Sequence, residues 1–315
     1  MNESRTTAIQ LCPLSSYLEA GLGGRFELIR WFDLSEAERA TFLAQRSTAV
    51  RAVITGGHVG CGNELMEALP SLGIVAINGV GTDKIDLELA RARRVRVTTT
   101  PGTLTDDVAD LAIGLIIALL RGIPAADAHV RAGRWPQGDR PLGRKVSGRR
   151  FGIVGLGQIG SAIAHRLAAF GPVAYTDTRP QAMPYEFHDT LLSLARSSDV
   201  LVVACPANAS THHLINGAVI DALGPNGYLI NVARGSIVDE PALAAALTED
   251  RLAGAALDVF ENEPEVPEAL RTSGNVVLTP HIASATLETR TRMADLVLKS
   301  LDDFFAGAPL STAAV

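Results

Sequence analysis

The chain has 315 residues, of which 47% are hydrophobic and 20% charged, a balance that fits two ordinary globular domains and excludes a disordered chain. Its net charge of −6 argues against a nucleic-acid surface, and the one basic run, Arg91 to Arg96, reads as a solvated helix end. The opening MNESRTTAIQLCP places charges where a secretory signal needs an apolar core, so a cytoplasmic protein is expected. Cys12, Cys61 and Cys205 lie far apart without CxxC spacing, and so offer neither a disulfide frame nor a zinc site. No metal is expected. The most apolar run, Leu111 to Leu120, is well short of the roughly 20 residues that span a bilayer, and no membrane partner is expected.

The first third alternates apolar runs, TAIQLC, FELIRW, AVRAVIT, GIVAIN and VRVTTT, with helical patterns. This is a βαβ series, which builds a parallel sheet. Two glycine-bearing loops follow strands: Thr55-Gly56-Gly57-His58, and Asn78-Gly79-Val80-Gly81-Thr82-Asp83. Their amide groups are suited to an anion, and a tight turn that needs positive φ explains each loop equally well. Next, LTDDVADLAIGLIIALLRGI predicts a helix capped by Thr105 or Asp106 and apolar almost all round, so that it must be buried between domains or at a subunit interface. The turn-rich segment from Arg134, Trp135 and Pro136 to Gly148 projects from any compact core and suits a dimer arm.

FGIVGLGQIGSAIAHRLAAF, Phe151 to Phe170, reads as strand, glycine turn and helix. Gly155 permits the tight turn, Gly157 lets backbone approach a pyrophosphate, and Gly160 lets the helix pack close to the strand. Gln158 and Ile159 then present N–H groups at the helix N-terminus. A lone GxGxxG is weak, but here a strand precedes it, a helix follows it, and Asp177 ends the next strand, where a carboxylate accepts hydrogen bonds from a ribose. The βαβ rhythm continues through DVLVVACP, NGYLINVARG, GAALDVF and NVVLTPHIAS, and an amphipathic helix from about Leu287 to Phe305 returns to the first domain. The expected fold is α/β. A discontinuous domain of residues 1–99 and 286–315 carries an inserted nucleotide domain of residues 100–285.

Reduction of a ketone needs a cation to grip a carboxylate and polarise the carbonyl, and an acid to protonate the oxygen. Arg234 in NVARGSIVDE offers a bidentate cation, and His281 in LTPHIAS offers the acid. Glu263 in DVFENEPEV offers the carboxylate that favours the protonated ring. Asp258 is placed to accept a hydrogen bond from a nicotinamide amide. Each has a plainer reading alone, as a surface arginine, a satisfied core histidine or a loop carboxylate. Their joint presence at strand ends, expected to converge at a cleft, favours chemistry. His129, His165, His188, His212 and His213 show no partner and are read as structural, and His58 is left open.

From Val80 onward the chain resembles the D-isomer-specific 2-hydroxyacid dehydrogenases. The shared motifs are VGTDKIDLELARARRVRVTTTPG, LTDDVADLAIGLIIALLR, GLGQIG, INVARGSIVDEPAL, LDVFENEPEVPE and LTPHIASATLETR. Their wording is most similar to glyoxylate/hydroxypyruvate and hydroxyphenylpyruvate reductases. The resemblance implies two Rossmann-like, doubly wound parallel-sheet domains, the discontinuous one flavodoxin-like. It implies that Arg234, Glu263 and His281 are catalytic, and that Gly57, Val80 and Gly81 join Arg234 and His281 in holding the substrate. Thr178, Cys205, Thr211, Val232 and Ser284 are expected beside the dinucleotide with Asp177 and Asp258. It also implies a homodimer in which the arm carrying Trp135 reaches towards its partner. Where many such reductases place a small-plus-basic pair for NADPH, this chain has Tyr175-Thr176-Asp177-Thr178-Arg179, and a carboxylate repels a 2′-phosphate. NADH is therefore expected, with NADPH served by Arg179 if Asp177 turns outward. The expected reaction is reduction of hydroxypyruvate or glyoxylate. A bulkier aromatic 2-oxo acid is an alternative, and a non-enzymatic, dinucleotide-sensing module like the corepressors of this fold is a reading of another class.

Overall fold

A computed structural model describes residues 5–315, and these form two compact units, residues 5–103 with 285–315 and residues 104–284. The limits differ slightly from those read at residues 99/100 and 285/286. Thr103 stays with the first unit because its carbonyl accepts from Thr289 Oγ1 and Arg292, both on the C-terminal helix.

The first unit holds five parallel strands, β1 (Thr7–Gln10), β2 (Glu27–Arg30), β3 (Val50–Gly56), β4 (Ile74–Asn78) and β5 (Arg96–Thr98), in the order β2-β1-β3-β4-β5. Both faces are covered, so successive residues are buried in different cores. Ile9, Val53, Val75 and Val97 enter one, while Ala8, Ala52, Ile54, Ile74 and Ala76 enter the other. That is why these strands read as continuous apolar runs rather than as alternation. The second core is closed by the helix Leu287–Phe305, which buries Ala294, Val297, Leu298 and Leu301. Each such leucine or valine contributes about 1.5–3 kcal/mol of burial, which is why the last residues of the chain belong to its first unit.

The second unit holds seven parallel strands: β6 (Phe151–Val154), β7 (Val173–Thr176), β8 (Glu186–Phe187), β9 (Val200–Val203), β10 (Tyr228–Asn231), β11 (Gly254–Leu257) and β12 (Val276–Leu278). Their order is β12-β11-β10-β9-β6-β7-β8, so chain order reverses between β6 and β9. Loops at such a switch point splay apart beyond the strand C-termini and leave a crevice for a ligand. The turn after β6 and Cys205 after β9 flank it.

The apolar helix runs Thr105–Arg121 and differs from expectation at its start. Leu104 is the N-cap and no side chain caps it, so neither Thr105 nor Asp106 takes that role. Val108, Ala112, Leu115, Ile116 and Leu120 are buried, whereas Ile113 and Ile117 are only partly so. Left-handed Gly122 ends it, and a second helix, Ile123–Arg131, leaves at 62°. Among the described residues no single helix is long and apolar enough to cross a membrane. Beyond it, residues 132–149 contain only a short turn of 3-10 helix, and Trp135 and Leu142 are exposed.

Candidate active site

The glycine turn forms as its spacing demands. Gly155 has φ +90°, and a Cβ there would sit 2.6 Å from Cys205 Cα. A Cβ on Gly160 would overlap the Gly155 carbonyl oxygen, and one on Gly157 would meet nothing. So Gly155 and Gly160 are required by the fold, while the space over Gly157 is open to a ligand. The helix Gln158–Leu167 has no side-chain cap, which leaves the N–H groups of its first turn, Gln158 and Ile159 included, to an outside acceptor such as phosphate. These observations fit a dinucleotide's pyrophosphate.

Asp177 does more than sequence reasoning assigned it. Its Oδ2 accepts from Leu156 N at 2.8 Å and its Oδ1 from Thr178 N at 2.7 Å and Thr178 Oγ1 at 3.2 Å. It therefore ties the glycine turn to the end of β7, with lone pairs remaining for a ribose. Cys205 packs on Gly155, and burial pushes its thiol up to about 11, so that it is neutral in ordinary buffers. Thr211 accepts from Asn208 N and donates to the Pro206 carbonyl, closing the turn after β9. Val232 is buried just past β10, and Ser284 ends the unit half-buried.

Arg234, Glu263 and His281 follow β10, β11 and β12, three neighbouring parallel strands, so one edge of the sheet gathers them. Glu263 Oε2 lies 2.7 Å from His281 Nδ1, and its Oε1 accepts from Phe260 N at 3.0 Å. The carboxylate is thus fixed by its own loop before it meets the imidazole. His281 has φ +53°, a left-handed conformation that costs a histidine on the order of 1–3 kcal/mol and that clusters at functional sites. What holds it there is Asp258, fully buried, whose carboxylate accepts from Thr279 Oγ1 (2.6 Å), Ile282 N (2.9 Å) and Ala283 N (2.9 Å). Burial pushes this carboxyl up, and the same donors oppose the shift. Its backbone carbonyl also accepts from His281 N at 2.8 Å. Asp258, expected beside a nicotinamide, is in the first place the clamp of the His281 loop.

Three positioning residues escaped sequence reasoning. Buried Asn231 accepts from Ala233 N and donates to the Arg234 carbonyl, shaping the arginine's loop. Thr279 anchors Asp258. Glu240, also buried, accepts from Glu261 N at 2.8 Å. Their signal was a polar residue against an apolar strand or at a helix start, which is too common to single out. Four histidines read as unpartnered have partners: His188 Nδ1 lies 2.8 Å from Ser193 Oγ, His129 Nε2 3.2 Å from the Gly138 carbonyl oxygen, and His213 Nε2 and His212 Nε2 lie 2.9 and 3.5 Å from Glu261 Oε1. In the first unit, Gly57 follows β3 and Val80-Gly81 follow β4. Their loops touch, since a Cβ on Gly79 would lie 3.3 Å from Gly57 N.

Gly235 is where the arginine's loop meets the glutamate's loop, because a Cβ there would overlap Phe260 C and Glu261 N. Gly235→Ala must separate them. We expect a melting temperature several degrees lower and activity at least about 100-fold lower, since misplacement by an ångström costs that much. An alanine variant with wild-type melting and turnover would show that the two loops need no such contact.

The model of the D-isomer specific 2-hydroxyacid dehydrogenase NAD binding domain matches residues 113–283. Hydroxyphenylpyruvate reductase of Plectranthus scutellarioides is 50% identical over 98% of both chains. The chain belongs to the D-isomer specific 2-hydroxyacid dehydrogenase family. Within it, glyoxylate/hydroxypyruvate reductase A of Arabidopsis thaliana is 48% identical, again over 98% of both chains. Among solved members, the NADPH-dependent glyoxylate/hydroxypyruvate reductase of Sinorhizobium meliloti, in complex with NADP and malonate, has a TM-score of 0.92. It is 42% identical and covers 99% of this chain and 97% of its own. The matched domain is one that binds NAD, and the open space over Gly157 fits such a dinucleotide.

Proposed function

We propose that this dehydrogenase reduces hydroxypyruvate or glyoxylate to the D-2-hydroxy acid. The observation that carries the reading is the 2.7 Å Glu263–His281 pair on the strand end next to Arg234's loop. Gly155, Gly157, Gln158, Ile159 and Gly160 hold the pyrophosphate, and Asp177 and Thr178 the ribose. Cys205, Thr211, Val232, Asp258 and Ser284 line the remainder of the cofactor's place. Hydride for the carbonyl carbon comes from the reduced nicotinamide when it is bound. Arg234 grips the substrate carboxylate with its planar fork and draws charge from the carbonyl. With Nδ1 engaged by Glu263, His281 delivers its proton from Nε2 to the carbonyl oxygen. Gly57, Val80 and Gly81 offer backbone N–H groups to the carboxylate.

An aromatic 2-oxo acid is the second reading, favoured by the 50% identity to a hydroxyphenylpyruvate reductase. Nicotinamide absorbance, followed with glyoxylate, hydroxypyruvate and 4-hydroxyphenylpyruvate, separates the two by kcat/KM. Inertness towards all three removes both.

NADH is the proposed cofactor, because the Asp177 carboxylate repels a 2′-phosphate. Asp177→Asn keeps an acceptor for Leu156 N and removes the charge. The ratio of kcat/KM with NADPH to that with NADH is expected to rise about tenfold or more, roughly 1.4 kcal/mol. A wild-type preference for NADPH defeats the proposal.

A homodimer is supported by the exposure of Ile123, Val130, Trp135 and Leu142, consecutive apolar features of one segment. Sedimentation velocity at dimer mass, lost in Val130→Asp, is the expected result. Monomeric wild type contradicts it. Three free cysteines suit a reducing, cytoplasmic setting.

A further inference from the structure

His212 and His213 take no part in the chemistry above, yet the chain brings both to one carboxylate. Their rings stack with centroids 4.0 Å apart and 27° between planes. Both Nε2 atoms converge on Glu261 Oε1, His213 at 2.9 Å and His212 at 3.5 Å, and all three candidate ligand atoms lie within 4.8 Å of one another. A hydrogen bond from His213 explains one ring. It does not explain why the second, half-exposed ring is aimed at the same oxygen.

Each member is held from behind. His212 N donates to the Asn208 carbonyl, His213 N to the Ser236 carbonyl, and Glu261 N to buried Glu240. His213 itself has φ +48°, a left-handed backbone that points its ring back beside its neighbour's. The 2.9 and 3.5 Å separations bracket a known demand. Donors around a tetrahedral ion with bonds of about 2.0–2.2 Å stand about 3.4 Å apart, and two imidazoles with one carboxylate suit borderline ions, whereas Mg2+ and Ca2+ want oxygen ligands.

We propose that His212, His213 and Glu261 bind one divalent transition ion of the Zn2+ class, with water in the remaining position on the exposed side of His212. Both histidines bind through Nε2 in their Nδ1–H form. The ion ties the turn after β9 to the loop between Asp258 and Glu263, because Glu261 contributes to both the site and that loop. Its second contact is the Gly235 turn, on which the Glu261 backbone packs.

Calorimetry of the untagged full-length protein with ZnCl2 tests this. One equivalent is expected to bind to wild type. His212→Ala, which removes an exposed ring and leaves the fold alone, weakens it at least about tenfold, as does Glu261→Gln. Glu240→Leu, which removes the acceptor of Glu261 N, weakens it through the backbone it holds, by about tenfold. His281→Asn leaves it unchanged, which separates the site from the Glu263–His281 pair. No binding to wild type up to millimolar Zn2+ overturns the proposal. So does unchanged binding in His212→Ala, or loss in His281→Asn alone.

Discussion

The kcat of His281→Asn falls by about 100- to 10,000-fold, the span that a positioned general acid contributes. Asparagine is the informative replacement because it tolerates the left-handed backbone at φ +53°, so the loss reports the missing imidazole rather than a displaced loop. NADH affinity, read by quenching of protein fluorescence, stays at the wild-type value, since the residues proposed for ribose and pyrophosphate, Asp177 and the glycine turn, lie after β7 and β6. Glu263→Gln gives a smaller loss, because a neutral amide holds the imidazole by a weaker hydrogen bond than the charge-assisted one made by the carboxylate. A His281→Asn enzyme within tenfold of wild type in kcat would mean that the proton reaches the carbonyl oxygen by another route.

For Arg234→Ala, kcat/KM for the 2-oxo acid falls by about 30- to several-thousand-fold, corresponding to roughly 2–5 kcal/mol for removing one partner of a charge-assisted, bidentate contact. Arg234→Lys separates charge from shape. Lysine keeps a cation and loses the planar fork, so it recovers part of the loss and stays at least tenfold below wild type. If the binding of an unreactive dicarboxylate weakens in parallel with kcat/KM, the arginine acts in binding; if kcat alone falls, it acts on the carbonyl. Full activity in the lysine variant would remove the case for a bidentate grip. The arginine's loop is shaped by Asn231 and Gly235, so a change at either mimics the arginine defect more weakly.

What could be read from residues alone were the features carried by near neighbours in the chain. The glycine turn announces itself through Gly155, Gly157 and Gly160 because the constraints are local: a positive φ, an open approach and a close helix. The two parallel sheets follow from short apolar runs at regular spacing, and the return of the helix Leu287–Phe305 follows from its amphipathic period. Residues whose work spans the chain were illegible. The clamp role of Asp258 was hidden because nothing near it in sequence reveals that Thr279, Ile282 and Ala283 converge on its carboxylate. The bond from Leu156 N to Asp177 was hidden as well, because it depends on the pairing of β6 with β7. His213 and Glu261 belong to separate strand connections, and only the sheet order brings them together. The uncapped start at Leu104 shows the same limit in a helix: Thr105 has the right chemistry for a cap, but the chain enters the helix one residue earlier.

The left-handed backbone at His281 also bears on how this enzyme responds to selection for heat resistance. Glycine is at home in that conformation, and a substitution matched to the native backbone commonly raises stability. A library sorted on melting alone will therefore collect replacements at position 281. Those survivors will be the inactive ones, so that endurance and turnover are opposed at a single residue.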